Sequence, residues 1–410
     1  MLTTLIYQSQ LNAECSDHEL NILSHVACEK NTAMQVTGIL LFNGAEFFQI
    51  LEGEEHIIDP LFRHICNDLR HTDVVELMRD YSAYRRFSDI GMTLFDLQKI
   101  DKKALVDEIC HLNQVQSRDL PDDRVFRFIK RFIDQGGWYR SSENFKPSQW
   151  MMVSNEYSRQ VTPYSSGQTN ICTFAFQPIV EPITGQISSF EALIRSPEGK
   201  SPEELFASIS PESLYIFDLE SKAIALQQAG RMLRADEKIS INLFPGSLYT
   251  IPGSVALLSE QIRQANLRPD QVIIEVLETE LITRIDDFHH SLKEIRAAGI
   301  GIAIDDFGSG YSRLSLLSKF QPDKIKLDRA LIVDIHKNGI KQAMIAAIVK
   351  YCEDMGIKLV AEGVEKKEEW CWLQSIGVRL FQGYLFSRPC LNGIGEVYWP
   401  VRIGEDQNIG

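Results

Sequence analysis

No stretch of this 410-residue chain approaches the ~18 consecutive apolar residues of a membrane-spanning helix, so no membrane partner is expected. None of its eight cysteines falls in a C-x-x-C pair. Neither a disulfide framework nor a zinc site is therefore indicated, and a reducing, cytoplasmic setting fits. The opening Met1-Leu2-Thr3-Thr4-Leu5-Ile6-Tyr7 lacks the basic end and cleavage site of a secretory leader. Positive charge is scarce too. Lys and Arg total 42 against 56 Asp and Glu, a net charge of −14, and residues 1–98 alone hold 15 acids and 6 bases. Without a basic groove, nucleic-acid binding is argued against, and a phosphodiester substrate would need metal ions to supply the positive field.

What is present is ordinary globular sequence, 44% hydrophobic and 24% charged, long enough for two or three domains. Residues 1–98 read as strand Leu2–Tyr7, helix Asp17–Asn31, strands Val36–Phe42 and Glu46–Glu52, helix Asp59–Arg70, and strands Val74–Tyr81 and Ile90–Phe95. Asn43-Gly44 between the second and third strands is a hairpin signal. This β-α-β-β-α-β order predicts a ferredoxin-like α+β domain. Gln49, inside an apolar strand, either faces solvent or has its amide satisfied, because an unpaired buried amide costs roughly 1–3 kcal/mol. Residues 99–140 predict a connector of two helices, the second carrying Val125, Ile129, Phe132 and Ile133 at helical spacing, as the hinge that packs the first domain against the next. Residues 141–170 read as a linker with a helical turn near Trp150–Glu156, and 404–410 as a tail.

From 171 to 403, eight strand-like runs largely alternate with helical ones. That predicts a (β/α)8 TIM-like barrel, with a doubly wound open sheet as the competitor. No helix of ordinary length separates the first two strands, so the barrel is expected to contain one antiparallel strand. Late in successive strands stand Glu191, Asn242, Glu275, Asp305 with Asp306, Lys326, Glu362 and Gln382. Carboxyl ends of barrel strands share one face, where barrel enzymes place their chemistry. Five carboxylates in one pocket cannot all ionise unless cations intervene. Two divalent ions, with Lys326 and Arg195, would balance them, and an all-oxygen set with one Asn suits Mg²⁺ or Mn²⁺. Asp305 and Asp306 are neighbours, so they can serve one site only if the chain leaves the sheet between them.

Two resemblances follow. Tyr7, Asn31 with Thr37-Gly38-Ile39-Leu40, Gln49-x-Leu51-Glu52-Gly53 and Asp68-x-Arg70-His71 resemble a BLUF domain, a blue-light sensor that binds flavin, over residues 1–98. The resemblance implies Tyr7 as electron donor, Gln49 as its hydrogen-bond partner beside the flavin, Asn31 at the ring edge, and Met92 in the strand that relays the signal. Arg63 and Arg70 are candidates for the phosphate or ribitol end, and FAD is the expected flavin. Ile90 stands where some members carry a Trp, so a relay through a moving indole is not implied.

Glu191-Ala192-Leu193-Ile194-Arg195, Asn242, Glu275, Asp305-Asp306-Phe307-Gly308, Lys326-x-Asp328, Glu362-Gly363-Val364-Glu365 and Gln382-Gly383 resemble an EAL domain over about 168–403. Members of that family hydrolyse cyclic di-GMP to linear pGpG. The resemblance implies Glu191, Asn242, Glu275 and Asp305 on one metal, and Asp305, Asp306 and Glu362 on a second. Lys326 would orient the attacking water, and Gln177, Leu193, Arg195 and Gln382 would contact the nucleotide. Asp328 and Glu365 would support Lys326 and the loop. A homodimer is implied, with light acting through the 99–140 helices on loop 306–317. The alternatives are an EAL domain acting as a receptor or protein-interaction module with little turnover, and a flavin-free docking unit in front.

Overall fold

The computed structural model describes residues 2–11, 17–82, 85–87, 91–111, 124–135, 145–155, 159–160, 171–309, 317 and 321–403. Its contacts sort the chain into two units, Met1–Arg140 with Asp334–Met344, and Ser141–Val333 with Ile345–Gly410.

The first unit runs β1 (Leu2–Leu11), α1 (Asp17–Ala33), β2 (Thr37–Phe42), β3 (Glu46–Glu54), α2 (Glu55–Cys66), β4 (His71–Ser82) and β5 (Thr93–Asp96). The sheet order β4-β1-β3-β2-β5 is the ferredoxin-like four with β5 added parallel to β2. The β2–β3 hairpin closes where expected. Asn43 Oδ1 accepts the N–H groups of Ala45 and Glu46, and Gly44 takes φ +99°, a conformation that glycine adopts without a Cβ penalty. Strand β3 is buried on both faces, which is why apolar residues stand at consecutive positions, Phe47-Phe48 and Ile50-Leu51, on either side of Gln49. On one face Tyr7, Leu51 and Ile58 form one cluster, and Leu40, Phe47 and Met92 another. On the other, Phe48 and Ile50 join α3 (Lys102–His111) and α4 (Arg124–Gln135).

The stripe on α4 is where the sequence reading expects a hinge against the second domain. The structure packs Val125, Ile129, Phe132 and Ile133 into the sheet of their own unit, with Phe132 stacked on Phe48 at 4.9 Å between centroids. Their helical spacing marked a buried face but not what it covers.

In the second unit β6 (Thr173–Glu181) and β7 (Gln186–Arg195) form an antiparallel hairpin. Parallel strands β8 (Ile239–Asn242), β9 (Val272–Leu277), β10 (Gly301–Phe307), β11 (Lys324–Leu327), β12 (Lys358–Ala361) and β13 (Leu380–Phe381) follow. Phe381 pairs back to Val180 on β6 and closes the barrel, which settles the matter against an open sheet. Helices α5 (Leu214–Met232), α6 (Ser254–Gln264), α7 (Glu278–Ala297), α8 (Gly339–Met355) and α9 (Lys367–Ser375) intervene. One of the helical runs that the sequence places between barrel strands, Ser312–Lys319, lies outside the described residues apart from Leu317.

Trp150–Asn155 is a strand, not a helical turn, and pairs antiparallel with Val397–Arg402. Trp150 meets Trp370 edge-on at 5.2 Å. A partner so distant in sequence leaves no trace in local spacing, and the expected turn fails for that reason; Glu156 itself lies outside the described residues.

Replacing Phe132, fully buried against Phe48, by alanine should remove about 3–5 kcal/mol from the first unit. Urea unfolding of the full-length variant followed by near-ultraviolet circular dichroism checks this.

Candidate active site and sensor cavity

The aspartate doublet is positioned by a bulge. Ile304 pairs with Ile325 and Phe307 with Leu327, so Asp305 and Asp306 together stand opposite Lys326 alone. Asp306 accepts φ +53° to do this. The chain therefore need not leave the sheet between the two acids, as the sequence reading required; β10 continues to Phe307. Gly308 then turns at φ +97°, where a Cβ would come within 2.3 Å of Leu331 Cδ1. Its N–H donates to Glu278 Oε2 at 3.0 Å, so a buried carboxylate pins the start of the loop.

Lys326 sits at the centre of the mouth, 1% exposed. Its Nζ lies 2.6 Å from Glu362 Oε1, 2.7 Å from Glu275 Oε2, 3.0 Å from Asp305 Oδ1 and 3.2 Å from Glu191 Oε2. Asn242 Nδ2 donates to Glu191 Oε1 at 2.8 Å, and Gln382 Nε2 to Glu191 Oε2 at 2.8 Å. Gln382 Nε2 also reaches Gln177 Oε1, 3.2 Å away, and Gln177 Nε2 donates to the Ser387 carbonyl. Above these groups opens a cavity of about 510 Å³, lined by Leu193, Asp306, Asp328, Gly363 and Tyr384 among others.

One ammonium does not balance five acids. Burial pushes Glu275 up to about 8, and burial with the Asp305 charge pushes Asp306 to about 6. Burial raises Asp305 as well, and Glu362 well above the carboxylate range. Glu191 is the exception. Burial opposes its charge, but Lys326, Gln382 and Asn242 outweigh that and hold it below its usual value. Burial would lower the Lys326 amine, yet the surrounding carboxylates raise it well above 10.5, so it stays an ammonium.

The donor set fits two divalent cations. Glu191, Glu275 and Asp305 each bring an oxygen within 4.8 Å of the others, and Asp305, Asp306 and Glu362 do the same. Asp305 belongs to both groups. The buried Glu275 Oε1, Asp305 Oδ1 and Glu362 Oε1 accept no hydrogen bond, the last two facing Lys326 only as ion pairs. All-oxygen donors suit hard cations.

The first unit holds a smaller cavity, about 120 Å³, between α1 and α2. Tyr7 Oη donates to Gln49 Oε1, and Gln49 Nε2 to Met92 Sδ at 2.9 Å. Gln49 is thus buried with its amide satisfied at both ends. Burial pushes the Tyr7 phenol far up, so it holds its proton. Buried Asn31 donates to the Gly91 carbonyl at 3.1 Å. Apolar walls from Val26, Ala27, Leu61 and Ile65 with amide groups at the end match a planar heteroaromatic ring such as a flavin's.

Residues 165–389 match the family described as the EAL domain, and residues 2–93 the family described as sensors of blue-light using FAD. The blue light- and temperature-regulated antirepressor BluF of Escherichia coli K12 is 38% identical over 405 residues, 98% of this chain and 100% of BluF. The chain belongs to the EAL family. Klebsiella pneumoniae BlrP1, solved as a manganese/cy-diGMP complex, superposes with a TM-score of 0.93 at 53% identity, covering 98% of this chain and 100% of that one. A BlrP1 structure with FMN and cyclic diGMP and no metal ions gives 0.88 at 49% identity, with the same coverage of both chains. The cyclic di-GMP phosphodiesterase RocR of Pseudomonas aeruginosa is 35% identical over 176 residues, 42% of this chain and 44% of RocR.

Within this EAL barrel most of the expected residues meet at one mouth, with two differences. Arg195 donates to the carbonyl of Ile194 and does not line the cavity. Asp328 caps the helix Arg329–Ile332 through Ala330 N at 2.8 Å instead of holding Lys326. Glu365 pairs with Arg329 at 3.0 Å beside Gly363. In the BLUF domain Arg70 lines the cavity mouth, already paired with Asp68, while exposed Arg63 does not. Sequence reasoning missed Lys30 and His64 at that mouth, and Glu278, Arg329 and Tyr384 around the EAL cavity. Glu278 opens the helix after β9, a position that could have drawn attention to it.

A carboxyl raised by folding binds more protons folded than unfolded, so stability falls as pH rises from its ordinary value to its folded one. The cation-free protein should therefore lose stability as pH climbs from about 5 to Glu275's value of about 8. Mg²⁺ or Mn²⁺ should raise Tm more at the alkaline end of that window than at the acid end, which scanning calorimetry in chelator against added metal checks.

Proposed function

We propose that this protein is a blue-light-regulated phosphodiesterase that hydrolyses cyclic di-GMP to linear pGpG. The observation that carries this reading is the pair of carboxylate groups sharing Asp305 around a buried ammonium. Glu191, Asn242, Glu275 and Asp305 would hold one divalent cation, and Asp305, Asp306 and Glu362 a second. Mg²⁺ or Mn²⁺ so held supplies water activation and charge neutralisation at phosphorus. The chain's own residues do the rest. Asn242 and Gln382 keep Glu191 ionised by hydrogen bonding to it. Lys326, held protonated, orients the attacking water and counters the charge that develops on the phosphoryl oxygens. Gln177, Leu193 and Gln382 face the cavity as nucleotide contacts, and Arg195 would reach it only by giving up the Ile194 carbonyl.

The BLUF domain takes a flavin, FAD in this reading, although the related BlrP1 was solved with FMN. Tyr7 supplies the electron, and the Gln49 amide, carrying both donor and acceptor, reverses its bonds between Tyr7 and Met92. The protein works as a cytoplasmic homodimer, with the 99–140 helices and loop 306–317 carrying the signal; of these, 112–123, 136–140 and 310–316 lie outside the described residues. No described helix is long and apolar enough to cross a membrane.

A second reading has one observation behind it: the full-length relative BluF is named an antirepressor. On that reading the EAL domain binds a protein partner and turns over little. The assay that separates them measures pGpG release in darkness and under blue light, in Mg²⁺, Mn²⁺ and chelator. Metal-dependent release that differs between dark and light is expected; a flavin-loaded sample with none favours the second reading. Asp306→Asn should cut hydrolysis on the order of 100-fold, about 2.7 kcal/mol of barrier. Gln49→Leu should leave the dark rate within about twofold and remove the light–dark difference, as steady-state rates under both conditions will tell.

A further inference from the structure

The opposite end of the barrel holds a cavity larger than the one at the carboxylate mouth. It measures about 940 Å³ and opens where the strands begin, lined by Ser188 on β7, Lys238 before β8, Gly301 on β10, Lys324 on β11 and Lys358 on β12. None of these residues has a part in the proposed hydrolysis.

Three amines converge there. Lys324 and Lys358 are register partners on adjacent parallel strands, so their side chains leave the sheet on the same face. Like charges so placed repel. Lys324 is 3% exposed, and its Nζ crosses the lumen to Ser189 Oγ at 3.1 Å, a neutral partner. Among the described residues no ion pair joins Lys238, Lys324 or Lys358 to a carboxylate. A buried ammonium without a counter-charge is costly. Burial pushes this one down to about 8, with Lys326, Lys358 and Lys238 adding to the effect against Glu275.

Carboxylates also line the cavity, and two of them are engaged elsewhere. Asp270 accepts from Arg268 Nε at 3.0 Å, and Asp323 Oδ2 from the Ile302 N–H at 2.8 Å. Glu181 and Asp236 stand among the lining residues without an ion pair to the lysines. Asp270 also feels the Lys238 charge, yet among the described residues no carboxylate lies within ion-pair distance of the three amines, and all three face the cavity. Arg296, which donates to the Gln321 carbonyl, adds a fourth cationic group to the lining.

We infer that the amino-terminal mouth of the barrel is a binding site for a small phosphate-bearing anion, with Lys324 at its floor and Lys238 and Lys358 at its sides. The charge and the hydrogen-bonding capacity of a phosphate group match the three amine donors. The volume leaves space for an organic group attached to the phosphate. The floor lies close beneath the hydrolytic site, because Lys324 and Lys326 alternate on one strand and point into the same lumen. An occupant would therefore change the field under Glu275.

The test is isothermal titration of sodium phosphate, and in parallel of AMP, into the full-length chain depleted of divalent cations, at matched ionic strength. One saturable site is expected, weakened at least about tenfold in the double variant Lys238→Ala/Lys358→Ala, which is about 1.4 kcal/mol. Tighter uptake of AMP than of phosphate would identify a phosphomonoester as the ligand class, and uptake of phosphate alone a free anion; both support the site. Heats that do not saturate, or equal uptake by wild type and double variant, overturn it. Lys358 is exposed, so Lys358→Ala alone keeps the test available if the double variant does not fold, and unchanged affinity in that variant also overturns the proposal.

Discussion

The barrel mouth is governed by the contact of one ammonium with four carboxylates. Lys326 Nζ has Glu362, Glu275, Asp305 and Glu191 within 3.2 Å, at a position almost without solvent. A single positive charge cannot satisfy that many acids. The excess appears in their protonation, with Glu275, Asp305, Asp306 and Glu362 all displaced upward. The site is therefore unsatisfied by protein alone, and its open oxygens are the structural expression of that deficit. Removing one acid relieves repulsion but also removes a donor. A loss of cation binding and a gain in the stability of the cation-free chain are two faces of the same change.

The two units solve different burial problems. In the first, a sheet covered on both faces needs apolar residues at consecutive positions. Phe47, Phe48, Ile50 and Leu51 meet that need, while Gln49 and Glu52 must find polar partners inside the protein. In the second, the lumen is narrow and its side chains come in layers. The middle layer includes the apolar Ile179, Val360 and Leu380 beside Lys324, and the acids lie above it.

The sequence was most legible where a local pattern and its structural cause coincide. Asn43-Gly44 announced its own hairpin, because side-chain acceptance and positive φ are both local. The polar residues at strand ends announced the barrel mouth, because every parallel strand of a closed barrel ends on one face. It was least legible where the cause is distant. Trp150–Asn155 is a strand only because Val397–Arg402 pairs with it. The destination of Arg195 is the backbone carbonyl of the residue before it, and Asp328 is drawn to a helix terminus one residue away. Glu278 escaped notice because its partner, the N–H of Gly308, carries no side chain to signal the pairing.

The bulge at the aspartate doublet limits which replacements there are informative. Asp306 occupies the left-handed region of backbone space, which costs most residues roughly 1–2 kcal/mol and which asparagine, aspartate and glycine visit most readily. Alanine or glutamate at this position would alter the path of the chain as well as its charge, and so disturb Asp305 next to it. Asparagine subtracts the charge and keeps the path. Backbone geometry, not acidity alone, thus narrows the side chains this position accepts.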